Sequence, residues 1–239
     1  MLYSAKNKIA FAHYPKTAGT SVSAWFKASF QDAVYLEPNS ILKDPNSILN
    51  ISHYGVNSSI QHLEPNPEWH ERLLNKVFDN KFEIESPADN LRIIGVLRDP
   101  FDMLVSLYNF WRNTDRSNFL ESELPPLIIT AREKSFTEFL ALAVGEHPIS
   151  TYREFFDVGG KCWANTRLLS FENLNEALLN VCKEFDIPIS KKKLEHLNPG
   201  PELDHTIHPY LRQAGSLINH VEQHFHWYYN EGQKIMVSK

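Results

Sequence analysis

The chain has 239 residues, 42% of them hydrophobic and 12% aromatic, enough for one large α/β domain with a sizeable core. A formal net charge of −5 argues against a nucleic-acid partner, which calls for a basic footprint, yet it leaves room for a local basic site that takes an anionic nucleotide. Two cysteines, Cys162 and Cys182, make no disulfide framework and suit a reduced compartment, and no apolar run approaches the length of a membrane span.

The organising stretch comes first. Ile9 and Phe11 belong to a short apolar, β-rich run, which Tyr14-Pro15 stops because proline cannot donate to a sheet ladder. Lys16-Thr17-Ala18-Gly19-Thr20-Ser21 comes next, small and hydroxyl-rich, and residues 22–30 read as a helix. Strand, tight polar turn and helix N-terminus together make a phosphate cradle, because the free N–H groups and dipole of the first turn favour an anion. This is not a Walker A loop, in which a Gly-Lys-Ser/Thr closes the turn; here the lysine leads it.

Residues 31–66 are rich in Asn, Ser and Pro, with a short strand expected over 48–53. A helix over 67–78 carries Trp69, Leu73, Leu74 and Val77 on one side, as core packing. Residues 91–97 form the clearest buried strand, a near-continuous apolar run of the parallel-sheet kind. Arg98-Asp99-Pro100 ends it, residues 101–112 are helical, and 113–126 read as a polar loop near the acceptor. A further helix over 135–144 has Ser135 as its N-cap. A second buried strand spans 166–171, and a helix led by Asn173 runs to about 185. Pro188, Pro199 and Pro201 break the segment 186–201. Residues 209–229 read as one long terminal helix. Strands alternating with helices predict an α/β fold of P-loop type. Its central sheet is mostly parallel, its helices cover both faces, and residues 1–239 form a single domain.

The second anchor is Arg98-Asp-Pro-Phe-Asp-Met-Leu-Val-Ser106-Leu-Tyr108. Arg98 leaves a buried strand at its carboxyl end, the edge where open α/β sheets bind ligands. A guanidinium fork suits a phosphate dianion, and Ser106, two turns into the helix, adds a hydroxyl on a face that can turn back toward it. Taken alone, Arg98 also reads as a salt-bridge partner of Asp99 or Asp102.

Pro-Lys-Thr-Ala-Gly-Thr-Ser resembles the 5′-phosphosulfate loop of sulfotransferases that use PAPS (3′-phosphoadenosine 5′-phosphosulfate). It is most similar to the loop of the carbohydrate (Golgi-type) enzymes. Arg-Asp-Pro, five residues, Ser, one residue, Tyr resembles their 3′-phosphate-binding segment, and Leu168-Leu-Ser-Phe-Glu-Asn-Leu174 is loosely similar to a third family stretch. The Arg-Lys-Gly motif of the cytosolic small-molecule enzymes is not matched by His196-Leu-Asn-Pro-Gly-Pro201, and Ser21 replaces their tryptophan after the loop.

The resemblance implies sulfuryl transfer from PAPS to an acceptor hydroxyl on a carbohydrate, with PAP leaving. It assigns Lys16 to the charge developing on the bridging oxygen. Thr17, Ala18, Gly19, Thr20 and Ser21 join Lys16 in the 5′ cradle, and Arg98 and Ser106 hold the 3′-phosphate. His53 is the expected base, by likeness to a base histidine in a comparable stretch; His13 and a carboxylate stay open as alternatives. No metal is expected, because a sulfuryl group carries less negative charge than a phosphoryl group. His220, His224 and His226, without a glutamate-bearing pattern or cysteine partners, read as solvated. Golgi relatives carry an N-terminal anchor; with no leader here, a cytoplasmic bacterial enzyme is expected. The rivals are a small-molecule sulfotransferase, a P-loop kinase using ATP and Mg²⁺, and a non-catalytic nucleotide-binding relative.

Overall fold

The computed structural model describes residues 1–35, 56, 91–113, 125–158, 161–162, 165–187, 194 and 207–236. The strand expected over 48–53, with His53, and the helix expected over 67–78 lie outside these residues.

Three parallel strands form the middle and one flank of a five-stranded sheet. β2 (Ile9–Ala12) pairs with β4 (Arg92–Leu97), which pairs with β7 (Thr166–Ser170). The register sets Phe11 beside Ile94, and Gly95 beside Leu168. On the other side, β1 (Leu2–Ser4) runs antiparallel to β2, and β3 (Val34–Tyr35) antiparallel to β1. The order is β3-β1-β2-β4-β7, and β5 (Asp157–Val158) with β6 (Lys161–Cys162) forms a separate hairpin. The antiparallel flank is an addition to the sequence expectation, since β1 is too short to show a period.

Alternation along the strands divides the core into two layers. Ile9, Phe11, Ile94, Val96 and Leu169 face α1 (Gly19–Ser29) and α6 (Leu174–Glu184). Ala10, Ala12, Ile93, Leu97 and Leu168 face a thicker helical layer. That layer holds α2 (Pro100–Asn113), α3 (Pro126–Glu133), α4 (Phe136–Val144), α5 (Tyr152–Phe156), α7 (Ile207–Ala214) and α8 (Leu217–His224). Helices on both faces are as the alternating pattern predicts.

The helices differ from expectation in instructive places. α1 begins at Gly19, three residues before the first apolar helical position, so the polar turn is shorter than its composition suggests. Pro126, the last residue of the expected loop, opens a helix, α3, in a stretch to which the sequence assigns no element, because proline's fixed φ and missing N–H suit a first turn. α4 has its expected Ser135 cap, closed reciprocally by Glu138 as a capping box. The long terminal helix is corrected: Gly215 adopts φ 52, which ends α7, and α8 restarts beyond it. A π-helical turn over Tyr228–Gly232 and α9 (Gln233–Ile235) complete the described chain.

Candidate active site

The loop between β2 and α1 is held from beneath. Thr17 is fully buried, and its hydroxyl donates to the Tyr14 carbonyl at 2.8 Å, closing the turn across Pro15. Tyr14 in turn donates its hydroxyl to the Ser150 carbonyl, anchoring the turn to the helical layer. Lys16 (φ 60) and Ala18 (φ 61) are both left-handed, a conformation that costs an L-residue about 1–2 kcal/mol. Thr17 between them is not left-handed. Changes in the sign of φ along a loop are how backbone nests turn their N–H groups toward one concave side.

Ala18 is the N-cap of α1 and supplies no side-chain acceptor, and the first turn holds no acidic residue. The amides of Gly19, Thr20 and Ser21 fall among those that lack an acceptor within the helix itself. Gly19 is required by a neighbour. A Cβ there would stand 1.6 Å from His13 Nε2, so the imidazole lies directly against the helix start. His13 also stacks on Phe11, with ring centroids 5.9 Å apart.

Arg98 brings the second strand end to the same place. Its Nη1 donates to the Lys16 carbonyl at 3.3 Å, and its guanidinium lies over the Phe171 ring at 4.4 Å. Among the described residues Arg98 forms no close ion pair with Asp99 or Asp102, although the charges of Asp102, Glu172 and Asp99 act on it and oppose the effect of burial. Asp99 instead accepts the Phe101 and Asp102 amides at 2.9 and 3.2 Å, capping α2, and receives the Tyr229 hydroxyl at 3.4 Å. Arg98 is only 6% exposed, and burial pushes its pKa down. Lys16 is also pushed down, first by burial and then by the charge of Arg98. Two cations thus share one desolvated corner, an arrangement suited to an anion with several negative charges.

Ser106 is half-buried on α2, and Phe110 stands one turn further on the same stripe. The Phe110 ring lies 4.2 Å beneath the Lys16 ammonium, so that stripe faces the loop. The i, i+4 spacing from Ser106 is a sequence signal that picks out Phe110. Phe171 stands within a stretch only loosely similar to the family's, and nothing in the sequence pairs it with Arg98. Tyr108 and Trp111 pack into the helical layer. Tyr108 donates to the Lys134 carbonyl at 3.0 Å, and Trp111 meets Phe139 edge-on. Trp227 and Tyr228 are buried as packing. His224 Nε2 lies 2.7 Å from the Ile149 carbonyl, and among the described residues no group of three metal-ligating side chains occurs.

Sheet order and helices on both faces define an α/β protein in which two cationic segments meet at adjacent strand ends. The family model described as "Sulfotransferase domain" matches residues 66–194, just over half of the sequence, and the chain belongs to that family. It is a sulfotransferase, of a family that generally draws on PAPS as donor. The matched stretch includes Arg98 and Ser106 but not the 16–21 loop, so the loop's assignment rests on its sequence and geometry. No curated protein and no solved structure matches the chain.

Proposed function

We propose that this sulfotransferase takes its sulfuryl group from PAPS and delivers it in line to a hydroxyl on a carbohydrate. The observation that carries the donor reading is the Arg98–Lys16 hydrogen bond, which draws a guanidinium and an ammonium-bearing loop to one helix N-terminus. PAPS, when bound, supplies the sulfuryl group and the phosphate that leaves with the bridging oxygen. The amides of Gly19, Thr20 and Ser21, with the Thr20 and Ser21 hydroxyls, receive the 5′-phosphate. Thr17 and Ala18 set the shape of that cradle, one as a buried strut and the other as the left-handed cap. Lys16 holds a positive charge where the leaving oxygen develops a negative one, the kind of preorganised stabilisation whose loss costs about a hundred- to a thousandfold in turnover. Arg98 and Ser106 bind the 3′-phosphate and so separate this donor from ATP. His53 is the proposed base, by its place after the loop. The carbohydrate acceptor rests on the wording of the 15–21 loop.

Thermal unfolding with PAP, ADP and ATP–Mg²⁺ at equal concentrations tests the donor. A ligand at a hundredfold its Kd adds about 2.7 kcal/mol. For a chain of this size that raises Tm by about 5–10 °C. PAP should stabilise and the adenosine 5′-phosphates should not, and Arg98→Ala should abolish the difference. Equal stabilisation by ATP–Mg²⁺ would sink the 3′-phosphate assignment.

A further inference from the structure

The contact between Lys16 and Phe110 is one that the roles above do not use. Lys16 carries the most flexible kind of cationic side chain, a point charge on a four-carbon stem, and a cation that must meet one oxygen has to be aimed. Among the described residues no carboxylate pairs with it; its ammonium lies over the Phe110 ring, 4.2 Å from the centroid. Phe110 is itself 40% exposed on α2, so its ring can meet the ammonium at the surface.

We propose that Phe110 is a positioning residue for Lys16, its ring face holding the ammonium at the mouth of the 16–21 loop. The inference rests on the reading of Lys16 as the cation of sulfuryl transfer. A carboxylate in the same position would aim the lysine too, but its charge would repel an anionic donor and cancel the cation it holds. An aromatic face attracts the ammonium through its quadrupole and adds no net charge. Its hold is weak, so the ammonium can leave the ring for a phosphate oxygen. Docking also restricts the lysine stem before the reaction, which reduces the rotamer freedom lost on engaging the donor. Ser106, on the same stripe of α2, ties the position of the ring to that of the proposed 3′-phosphate ligand.

The test reads Lys16 directly, without an acceptor. The full-length protein is treated with limiting acetic anhydride at fixed pH, and acetylation of Lys16 is quantified by peptide mass spectrometry. Wild type, Phe110→Leu and Phe110→Tyr are compared, with and without saturating PAP. Loss of the ring withdraws stabilisation from the charged form and frees the side chain. Phe110→Leu should therefore label about three- to fivefold faster at Lys16 while other lysines keep their rates. Phe110→Tyr retains a ring face and should stay within about twofold of wild type. Unchanged labelling in Phe110→Leu overturns the proposal, as does equal acceleration in Phe110→Tyr. The PAP arm is independent: if PAP fails to protect Lys16 in wild type, the placement of the donor at this loop is wrong, whatever Phe110 does.

Discussion

At the scale of single residues, the site is set by contacts that a sequence names only in part. Gly19 reads as a turn glycine, yet its φ is not left-handed; the left-handed positions are Lys16 and Ala18. What requires glycine is the imidazole of His13, which occupies the space a Cβ would take. Gly19→Ala should therefore displace His13 and strain the cradle, costing about 1–3 kcal/mol as overpacking does. In Gly19→Ala/His13→Ala most of that loss should return; denaturant unfolding of the two singles and the double measures it, and strict additivity would refute the contact. Lys16 offers a second reading at this scale. Burial and Arg98 lower its folded pKa below the usual 10.5, so between the two values the folded state binds fewer protons than the unfolded chain. Stability contributed by this group accordingly rises with pH through that window. Turnover moves the opposite way if the ammonium is the working form. The alkaline limb of kcat should fall below the ordinary lysine range, and Lys16→Arg, which stays charged, should remove that limb from whatever activity it keeps. An alkaline limb that persists in Lys16→Arg would assign it to another group.

At the scale of elements, legibility depends on the length and regularity of the apolar pattern. β4 is clear because a strand buried on both faces is apolar at nearly every position, whereas β7 shows itself only by the Leu168-Leu169 pair. β1 and β3 escape a reading of the sequence because three and two residues show no period. α3 is hidden by its prolines, and the break at Gly215 by an apolar spacing that continues across it. Arg98 and the loop are legible as motifs, but nothing in either predicts that one would hydrogen-bond the other's backbone. Gly95 shows how tightly β4 is fitted. A Cβ there would come 2.4 Å from Phe156 and 2.8 Å from Leu168, so α5 packs against bare backbone in the middle of the strand. Gly95→Ala should lower stability by about 1–3 kcal/mol, because the rings of α5 have little room to retreat. Denaturant unfolding reads it, and Phe156→Leu in the same chain should return part of the loss.

At the scale of the whole molecule, the position of the site stems from connectivity. After β2 the chain passes over one face through α1 to β3, and after β4 over the other through α2 on the way to β7. The two crossovers diverge between β2 and β4, and such a point, at the carboxyl ends of the strands, is where open α/β sheets bind ligands. Arg98 links the two strand ends through the Lys16 carbonyl, and its backbone is held from the thick layer by Tyr152, whose hydroxyl donates to the Arg98 carbonyl at 2.8 Å. Burial holds the Tyr152 hydroxyl protonated well beyond the ordinary range and pushes Tyr228 beside it up to about 12, so this support persists across working pH. Leu178, 3% exposed on α6, packs in the layer that α6 shares with α1 and touches neither loop through a hydrogen bond among the described residues. Leu178 and Tyr152 should then separate stability from binding. Leu178→Ala should lose about 2–5 kcal/mol of stability and leave PAP affinity, measured by calorimetry on the folded protein, unchanged. Tyr152→Phe removes one buried hydrogen bond, about 1 kcal/mol, yet should weaken PAP several-fold because Arg98 loses its register. If affinity instead tracked stability across both variants, the site would be sensing global packing, and the direct support of Arg98 by the helical layer would have no part in binding.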